Sequence, residues 1–132
     1  MLKASLCIVT YNNKDNITNS LSSVLEKTQG TETEIYVCDN ASADGTPDII
    51  EKQFPQVKVI RSSENKGFGA GNNMILGMID SDIHFIVNPD IMLTEDTVTE
   101  MCRFMKDNPD IVMAVPKLKY ENGEEQFTPK RI

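Results

Sequence analysis

The stretch IYVCDNASADGTP, residues 35–47, contains the pattern that decides the fold class. Its first four residues are apolar and lack helical spacing, which predicts a strand buried on both faces. A cluster of turn-forming residues, Asp39 to Gly45, follows and ends the strand. Thr46 and Pro47 then indicate a helix start, with Thr46 as the capping residue and Pro47 at the first helical position. A strand, a polar loop and a helix in this order form the repeating unit of an α/β fold.

The same unit recurs before and after this stretch. Short apolar runs predict further strands, and apolar residues three or four positions apart predict helices between them. The predicted strands cover residues 6–9, 57–60, 83–87 and 111–115, and the predicted helices cover residues 14–29, 46–54, 74–79 and 94–105, the last capped by Thr94. A type I′ hairpin is predicted at Asn122-Gly123, with residues 126–127 in its second arm. We therefore predict an α/β fold with a mostly parallel sheet and helices on both faces.

Length and composition are typical of a compact domain. The 132 residues suit a single domain, 1–132, and a hydrophobic content of 39% with seven glycines excludes disordered and collagen-like chains. No apolar run approaches the roughly 18–20 residues that cross a bilayer, so we expect no transmembrane segment and no signal peptide. Three cysteines without a C-x-x-C pair suit a reducing compartment. We expect a cytoplasmic location, either free in the cytoplasm or peripheral at the inner face of the membrane.

The net charge restricts the ligands that the chain can bind. Lysine and arginine total 13 and the acidic residues total 20, so the formal net charge is −7. Such a charge repels a polyanion, and we expect no nucleic-acid binding. An anionic small ligand would need backbone amides or a metal ion to offset the same charge.

Polar segments follow the predicted strands where each strand ends. Because parallel strands end at the same edge of a sheet, and ligands of such sheets bind at that edge, these segments form the candidate site. They cover residues 10–13, 39–44, 62–73 and 88–90.

Two residues of the first two polar segments suit a nucleoside. Asp39 can accept a hydrogen bond from a pyrimidine N–H or a ribose hydroxyl, and the alternative is an acceptor within its own turn. Tyr11 can stack on a base, and the alternative is ordinary packing. Asp44 is interpreted as turn and cap chemistry, since Gly45, Thr46 and Pro47 follow it.

The glycine-rich segment, residues 67–71, matches neither common phosphate-binding motif. Asn72 stands where a dinucleotide fingerprint needs glycine, and no Gly-Lys-Ser/Thr follows as in a P-loop. What remains is a loop whose backbone can approach a ligand closely, with a flexible connector as the alternative.

The segment Asn88-Pro89-Asp90 carries an amide and a carboxylate two positions apart. Oxygen ligands of this kind suit Mg²⁺ or Mn²⁺ bound together with a substrate's phosphates, and the alternative is a simple turn. A hydrolytic triad is excluded, because the single histidine, His84, lies within a predicted strand.

Taken in order, four motifs resemble the amino-terminal part of a family 2 inverting glycosyltransferase with the GT-A fold, a nucleotide-diphospho-sugar transferase fold. The similarity is strongest to the rhamnosyltransferase-like branch, which builds cell-surface polysaccharide. The motifs are residues 9–12 (VTYN), 39–46 (DNASADGT), 64–73 (ENKGFGAGNN) and 88–90 (NPD), and together they span nearly the whole chain.

The resemblance implies a donor site for a nucleotide-diphosphate sugar and an acceptor that is a glycan or a lipid-linked glycan. It implies Mn²⁺ or Mg²⁺ as cofactor, bound by Asp90 beside the diphosphate. The base would lie against Thr10, Tyr11, Asn12 and Asp39, and the rest of the nucleotide-sugar would lie along Asn65, Gly67, Gly69, Asn73, Asn88 and Asp90.

Two departures from the family pattern bear on function. The D-x-D motif of the family is Asn88-Pro89-Asp90 here, with one carboxylate instead of two. The catalytic base of the family lies in a further carboxy-terminal segment, so no catalytic residue is assigned within residues 1–132, and we expect this chain alone to be inactive. The alternative function is a non-catalytic nucleotide-binding or interaction module.

Overall fold

A computed structural model describes residues 2–126 of the chain. Within these residues four strands alternate with four α-helices, and a single turn of 3₁₀ helix, Leu76–Met78, follows the third α-helix. The elements in chain order are β1 (Lys3–Thr10), α1 (Lys14–Lys27), β2 (Glu32–Asp39), α2 (Thr46–Gln53), β3 (Lys58–Arg61), α3 (Phe68–Asn73), β4 (Ile83–Val87) and α4 (Thr97–Asp107).

All four strands are parallel and lie in the order β3-β2-β1-β4. The chain moves outward from β1 to β3 and then returns to the other side of β1, so the direction of winding reverses between β1 and β4. In open α/β sheets, ligands bind outside the carboxyl ends of the strands at this reversal. The parallel sheet predicted from the sequence is confirmed.

Apolar side chains of β1 are buried on both faces of the sheet. Leu6 and Ile8 pack on one face against α1, α2 and α4, while Cys7 and Val9 pack on the other face beside Ile75. Helix α3 also covers this second face, where Gly71 packs against Val9, so the predicted helices on both faces are confirmed. The helix predicted at residues 74–79 is wrong in its bounds, because the α-helix ends at Asn73 and only Leu76–Met78 form a 3₁₀ turn. None of the helices within residues 2–126 is both long and apolar enough to cross a membrane.

Helix α1 forms as its apolar spacing predicts. Ile17, Leu21 and Val24 recur at intervals of four and three residues and are fully buried against the sheet. The helix ends at Lys27, two residues before the predicted end, because Thr28 has an extended backbone. The N–H groups of Gln29 and Gly30 then donate hydrogen bonds to the carboxylate of Asp96, just before α4.

Two predicted helix caps are wrong. Gly45, with φ of +86°, precedes α2, and Thr46 is already the first helical residue. For α4 the capping residue is Asp96, not Thr94, because the Asp96 carboxylate accepts a hydrogen bond from the N–H of Thr99 at 3.1 Å. A carboxylate at this position also interacts favourably with the positive end of the helix.

The predicted fifth strand is also wrong. Residues 111–115 form no ladder with any strand in the described part of the chain, and the side chains of Val112 and Met113 are 93% and 81% exposed. Strand propensity alone cannot form a strand, since the backbone groups need a partner.

The predicted hairpin forms, but with a different turn. Lys119 and Glu125 make an antiparallel bridge, and the N–H of Gly123 donates to the carbonyl of Tyr120 at 2.9 Å. A type I′ turn needs positive φ at both Asn122 and Gly123, and only Gly123, at +88°, has it. Phe127 of the predicted second arm lies outside the described residues.

We expect Asp96→Ala to lower the free energy of unfolding by about 1–2 kcal/mol, the usual cost of losing a helix cap. The Asp96 carboxylate accepts hydrogen bonds from Thr99 and from the N–H groups of Gln29 and Gly30, so it also holds α4 against the end of α1. Urea unfolding measures the difference. Asp107→Ala in the same helix is the control, and an equal loss in both variants would contradict this role.

The stabilisation by Asp96 is expected to depend on pH. Burial alone would raise the pKa of Asp96, but the hydrogen bonds from Gln29, Thr99 and Gly30 lower it below its ordinary value. A carboxyl with a lowered pKa in the folded state stabilises the protein above its unfolded pKa, about 3.9. The difference between wild type and Asp96→Ala is therefore expected to persist at neutral pH and to shrink as the pH falls below about 4.

Candidate functional site

The polar segments after the strands converge on one edge of the sheet, as the sequence predicted. Thr10 and Asp39 are paired in register at the ends of β1 and β2, and Val87 at the end of β4 lies beside Ile8. Neighbouring strands are about 4.8 Å apart, so the ends of β2 and β4 are separated by roughly 10 Å. The four segments therefore lie at the same edge of the sheet, on either side of the reversal between β1 and β4.

Asp39 is the buried acid at the centre of this edge, with only 2% of its surface exposed. Its Oδ1 accepts hydrogen bonds from the hydroxyls of Thr10 at 2.7 Å and Ser42 at 2.6 Å, and its Oδ2 accepts from the N–H of Ser42 at 2.9 Å. Asp39 therefore makes the turn contact that was the alternative interpretation. A carboxylate has about four acceptor positions, so Oδ2 keeps capacity for one more donor.

Thr10 is completely buried, and its hydroxyl donates to Asp39. Its side chain therefore orients the carboxylate and does not face solvent.

The loop after β1 is tied to the loop after β2. Asn12 has a left-handed backbone, with φ of 55°, and its N–H donates to the Ser42 hydroxyl at 2.8 Å. Its side-chain oxygen accepts from the N–H of Ala43 at 2.8 Å. Ala41 is also left-handed, with φ of 60°, and such strained residues persist where the surroundings fix them. Tyr11 projects from this braced loop with 51% of its surface exposed, so its ring is accessible for stacking.

Asp44 has the structural role that the sequence indicates. Burial alone would raise the pKa of Asp44, but hydrogen bonds from the Thr46 hydroxyl and from the N–H groups of Lys14 and Thr46 lower it. The carboxylate thereby joins the start of α1 to the start of α2.

The glycine-rich segment is partly helical, because α3 begins at Phe68 inside the predicted loop. Asn65 accepts a hydrogen bond from the N–H of Gly67 at 2.9 Å, which closes the turn before α3. Gly69 and Asn73 are exposed, and a side chain at Gly69 would meet no atom within 4 Å. The four residues predicted for the site in this segment, Asn65, Gly67, Gly69 and Asn73, are all exposed, and the last two are one helical turn apart on α3.

Three further residues that contact the candidate site were not predicted from the sequence. Ser42 bonds to Asp39, Asn40 bonds to the glycine-rich segment, and Gly71 packs against Val9. The spacing of Ser42 from Asp39 is that of a local turn and could have indicated the first contact. The other two contacts join segments far apart in the sequence, so no local pattern indicates them.

Asn88 and Asp90 are both exposed beyond the end of β4, and neither side chain makes a hydrogen bond or ion pair within residues 2–126. Nor do the described residues contain a group of three acidic, histidine or cysteine side chains that could hold a metal. A site with one free carboxylate fits Mg²⁺ or Mn²⁺ that takes its other ligands from water and phosphates, and it does not fit a metal held by protein ligands alone.

A cavity of about 460 Å³ lies away from this edge, along the free side of β4. It is lined mainly by apolar side chains of β4, α4 and residues 112–116. None of the residues predicted for the site lines it.

The parallel sheet with its reversal and its polar carboxyl edge defines an open α/β domain, a class in which ligands bind at that edge. The chain belongs to glycosyl transferase family 2, whose sequence profile matches residues 5–132. It is 30% identical over 134 aligned residues to the uncharacterized glycosyltransferase YfnE of Bacillus subtilis (strain 168), covering 95% of this chain and 34% of YfnE. It is 29% identical to the poly(ribitol-phosphate) beta-N-acetylglucosaminyltransferase TarS of Staphylococcus aureus (strain Mu50), covering 93% of this chain and 22% of TarS.

Solved structures show the same fold. The crystal structure of S. aureus TarS 1–349 in complex with UDP superposes with a TM-score of 0.73 at 28% identity, over 82% of this chain and 33% of that one. The mannosyltransferase PcManGT of Pyrobaculum calidifontis, in complex with GDP-Man and Mn²⁺, superposes with a TM-score of 0.73 at 22% identity, over 80% of this chain and 32% of that one. The predicted GT-A fold is confirmed, and the chain spans about a third or less of the length of these relatives.

Proposed function

We propose that the chain is the donor-binding part of a glycosyltransferase and binds a pyrimidine nucleotide-diphosphate sugar at the carboxyl edge of the sheet. One observation carries this proposal. Asp39 is a buried, oriented carboxylate with one free acceptor position, and the exposed ring of Tyr11 lies on the adjacent loop. An acceptor for a base or ribose donor beside a stacking surface suits a nucleoside.

The remaining predicted residues are assigned to the rest of the donor. Asn12 would support the base pocket through its link to Ser42, while Asn65, Gly67, Gly69 and Asn73 would line the nucleotide-sugar. Asn88 and Asp90 lie across the reversal from Asp39, where the diphosphate would be placed. A divalent cation at Asp90 would offset the charge of the diphosphate, which this acidic chain otherwise repels.

The proposal extends to the activity, the donor sugar, the acceptor and the cellular location. Membership of family 2 favours an enzyme over a non-catalytic binding module, and relatives such as TarS support a role in cell-surface polysaccharide synthesis. Rhamnosyl transfer stays a prediction from the sequence resemblance, as does a glycan or lipid-linked glycan acceptor. The three cysteines within the described residues are free thiols, which suits the proposed cytoplasmic location.

We expect UDP or dTDP to bind to the chain more tightly than GDP. The purine ring of GDP is larger than a pyrimidine ring. With a purine beside Asp39, the ribose and the diphosphate would be shifted away from their proposed position near Asp90. Isothermal titration calorimetry with the three nucleotides in the presence of Mn²⁺ measures the affinities. Titrations with UDP-N-acetylglucosamine and dTDP-rhamnose then compare the two donor sugars that the relatives and the resemblance suggest.

A folded protein that binds none of the three nucleotides at millimolar concentration would refute the proposed function. Tighter binding of GDP would keep a nucleotide site but reject the pyrimidine pocket.

A further inference from the structure

Asn40 is a buried residue of the polar segment 39–44 that bonds to two of the other three polar segments. Its N–H donates to the carbonyl of Thr10 at 2.9 Å, which continues the sheet hydrogen bonding one residue past β2. Its side-chain Nδ2 donates to the carbonyl of Gly67 at 3.0 Å, at the start of the glycine-rich segment. Its Nδ2 is bonded to Gly67 and its Oδ1 is buried, so the side chain of Asn40 has no free polar group that faces a ligand.

The carbonyl that Asn40 binds is also the one that begins α3. The N–H of Gly71 donates to the same Gly67 oxygen at 3.0 Å, and Gly67 has a φ of +90°, which side chains strongly disfavour. The position of this one carbonyl therefore sets the direction in which α3 leaves the loop.

Helix α3 is pressed against the sheet at Gly71. A Cβ on Gly71 would lie 2.7 Å from Val9 Cγ1 and 3.2 Å from Asn40 Nδ2, so glycine is needed for this close approach. The Asn40 hydrogen bond and the Gly71 contact thus fix the same helix from two sides.

The Asn40 amide is held in this orientation although it leaves an acceptor without a partner. Its Oδ1 is buried and makes no hydrogen bond within residues 2–126. Turning the amide over would place its oxygen against the Gly67 carbonyl oxygen at 3.0 Å, a repulsive contact. A buried acceptor without a partner costs stability, and the bond to Gly67 is what holds the amide in this orientation.

We propose that Asn40 is a positioning residue for the donor site, which fixes α3 and the preceding loop so that Gly67, Gly69 and Asn73 face the nucleotide-sugar. The inference rests on the proposed function. It assigns the geometry of the glycine-rich segment to a residue outside that segment, which acts through a backbone carbonyl and not by contact with the ligand.

The test uses Asn40→Leu, which keeps the side-chain size but removes both the hydrogen-bond donor and the unpartnered oxygen. We expect its affinity for UDP to fall roughly fivefold, as for the loss of one hydrogen bond, while its melting temperature stays within a few degrees of wild type. Hydrogen exchange at the Gly71 N–H is expected to be faster in the variant. A merely structural role predicts the opposite pattern, a lower melting temperature with unchanged affinity.

Asn108→Leu is the matched control. Asn108 Nδ2 donates to the Phe104 carbonyl at 2.9 Å, the same kind of bond, but at the end of α4. We expect this variant to bind UDP like wild type. Equal weakening in both variants, or wild-type affinity in Asn40→Leu, would overturn the inference.

Gly71→Ala alone provides a second route, because an added Cβ would push α3 away from Val9 without changing Asn40. We expect this variant to weaken UDP binding even where Asn40→Leu does not fold, and wild-type affinity would contradict a role of the α3 position. Where both variants fold, they are also combined in a double variant. Both substitutions are expected to displace α3, so the loss of UDP affinity in the double variant should be smaller than the sum of the single losses. Additive losses would count against a shared mechanism. If the wild type binds no nucleotide, the proposed function fails, and unchanged exchange at Gly71 in Asn40→Leu would separately show that Asn40 does not fix α3.

Discussion

Replacing Asp39 by asparagine is expected to weaken UDP binding by roughly 10- to 150-fold, which corresponds to the loss of about 1.5–3 kcal/mol from a hydrogen bond to a charged group. Asp39 Oδ2 has the one free acceptor position at the end of β2, and an amide nitrogen there would meet the ligand's own donor. The same change places an amide N–H₂ against donors from Ser42 or Thr10, so the free energy of unfolding is expected to fall by about 1–3 kcal/mol.

Thr10→Val separates the two effects of Asp39. Valine keeps the shape of threonine and removes only the hydroxyl that orients Oδ1, so stability is expected to fall while most of the UDP affinity remains. Calorimetry gives the affinities and urea unfolding gives the stabilities. If Asp39→Asn is folded and binds UDP like wild type, Asp39 is a turn residue only, and the nucleoside pocket lies elsewhere.

Removing the divalent cation is expected to weaken UDP binding at least about tenfold, because opposite charges a few ångströms apart attract by several kcal/mol near a protein surface. The chain has a net charge of −7 and cannot offset a diphosphate by itself. Titrations in Mn²⁺ and in EDTA compare the two states. In Asp90→Asn the difference between them is expected to disappear, since Asp90 is the free carboxylate beyond β4.

Asp110→Asn is the control for net charge. Asp110 is exposed just beyond α4 and makes no side-chain hydrogen bond within the described residues, so its replacement removes one negative charge without touching the site. The Mn²⁺ effect is expected to persist in this variant. Equal UDP affinity in Mn²⁺ and EDTA for the wild type would show that backbone amides suffice and that Asn88-Pro89-Asp90 is a simple turn.

The sequence by itself determined the fold class and the edge of the sheet at which the polar segments meet. The fold class follows from local patterns: the continuous apolar runs at residues 6–9 and 35–38 and the apolar spacing of α1. Such patterns can be identified in the sequence because each involves only residues close to one another along the chain. The parallel order then places the polar segments together without further information. The family resemblance rested on the same segments and is confirmed for the family, while the rhamnosyltransferase-like branch stays a prediction.

The tertiary structure decided what depends on contacts between distant segments. Residues 111–115 have the composition of a strand but no partner, and Asp96 rather than Thr94 caps α4 because it also binds the N–H groups after α1. Within the site, the orientation of Asp39 by Thr10 and the attachment of Gly67 to Asn40 join residues about 30 positions apart. Such hydrogen bonds exist only once the strands are side by side, so their geometry cannot be obtained from spacing along the chain.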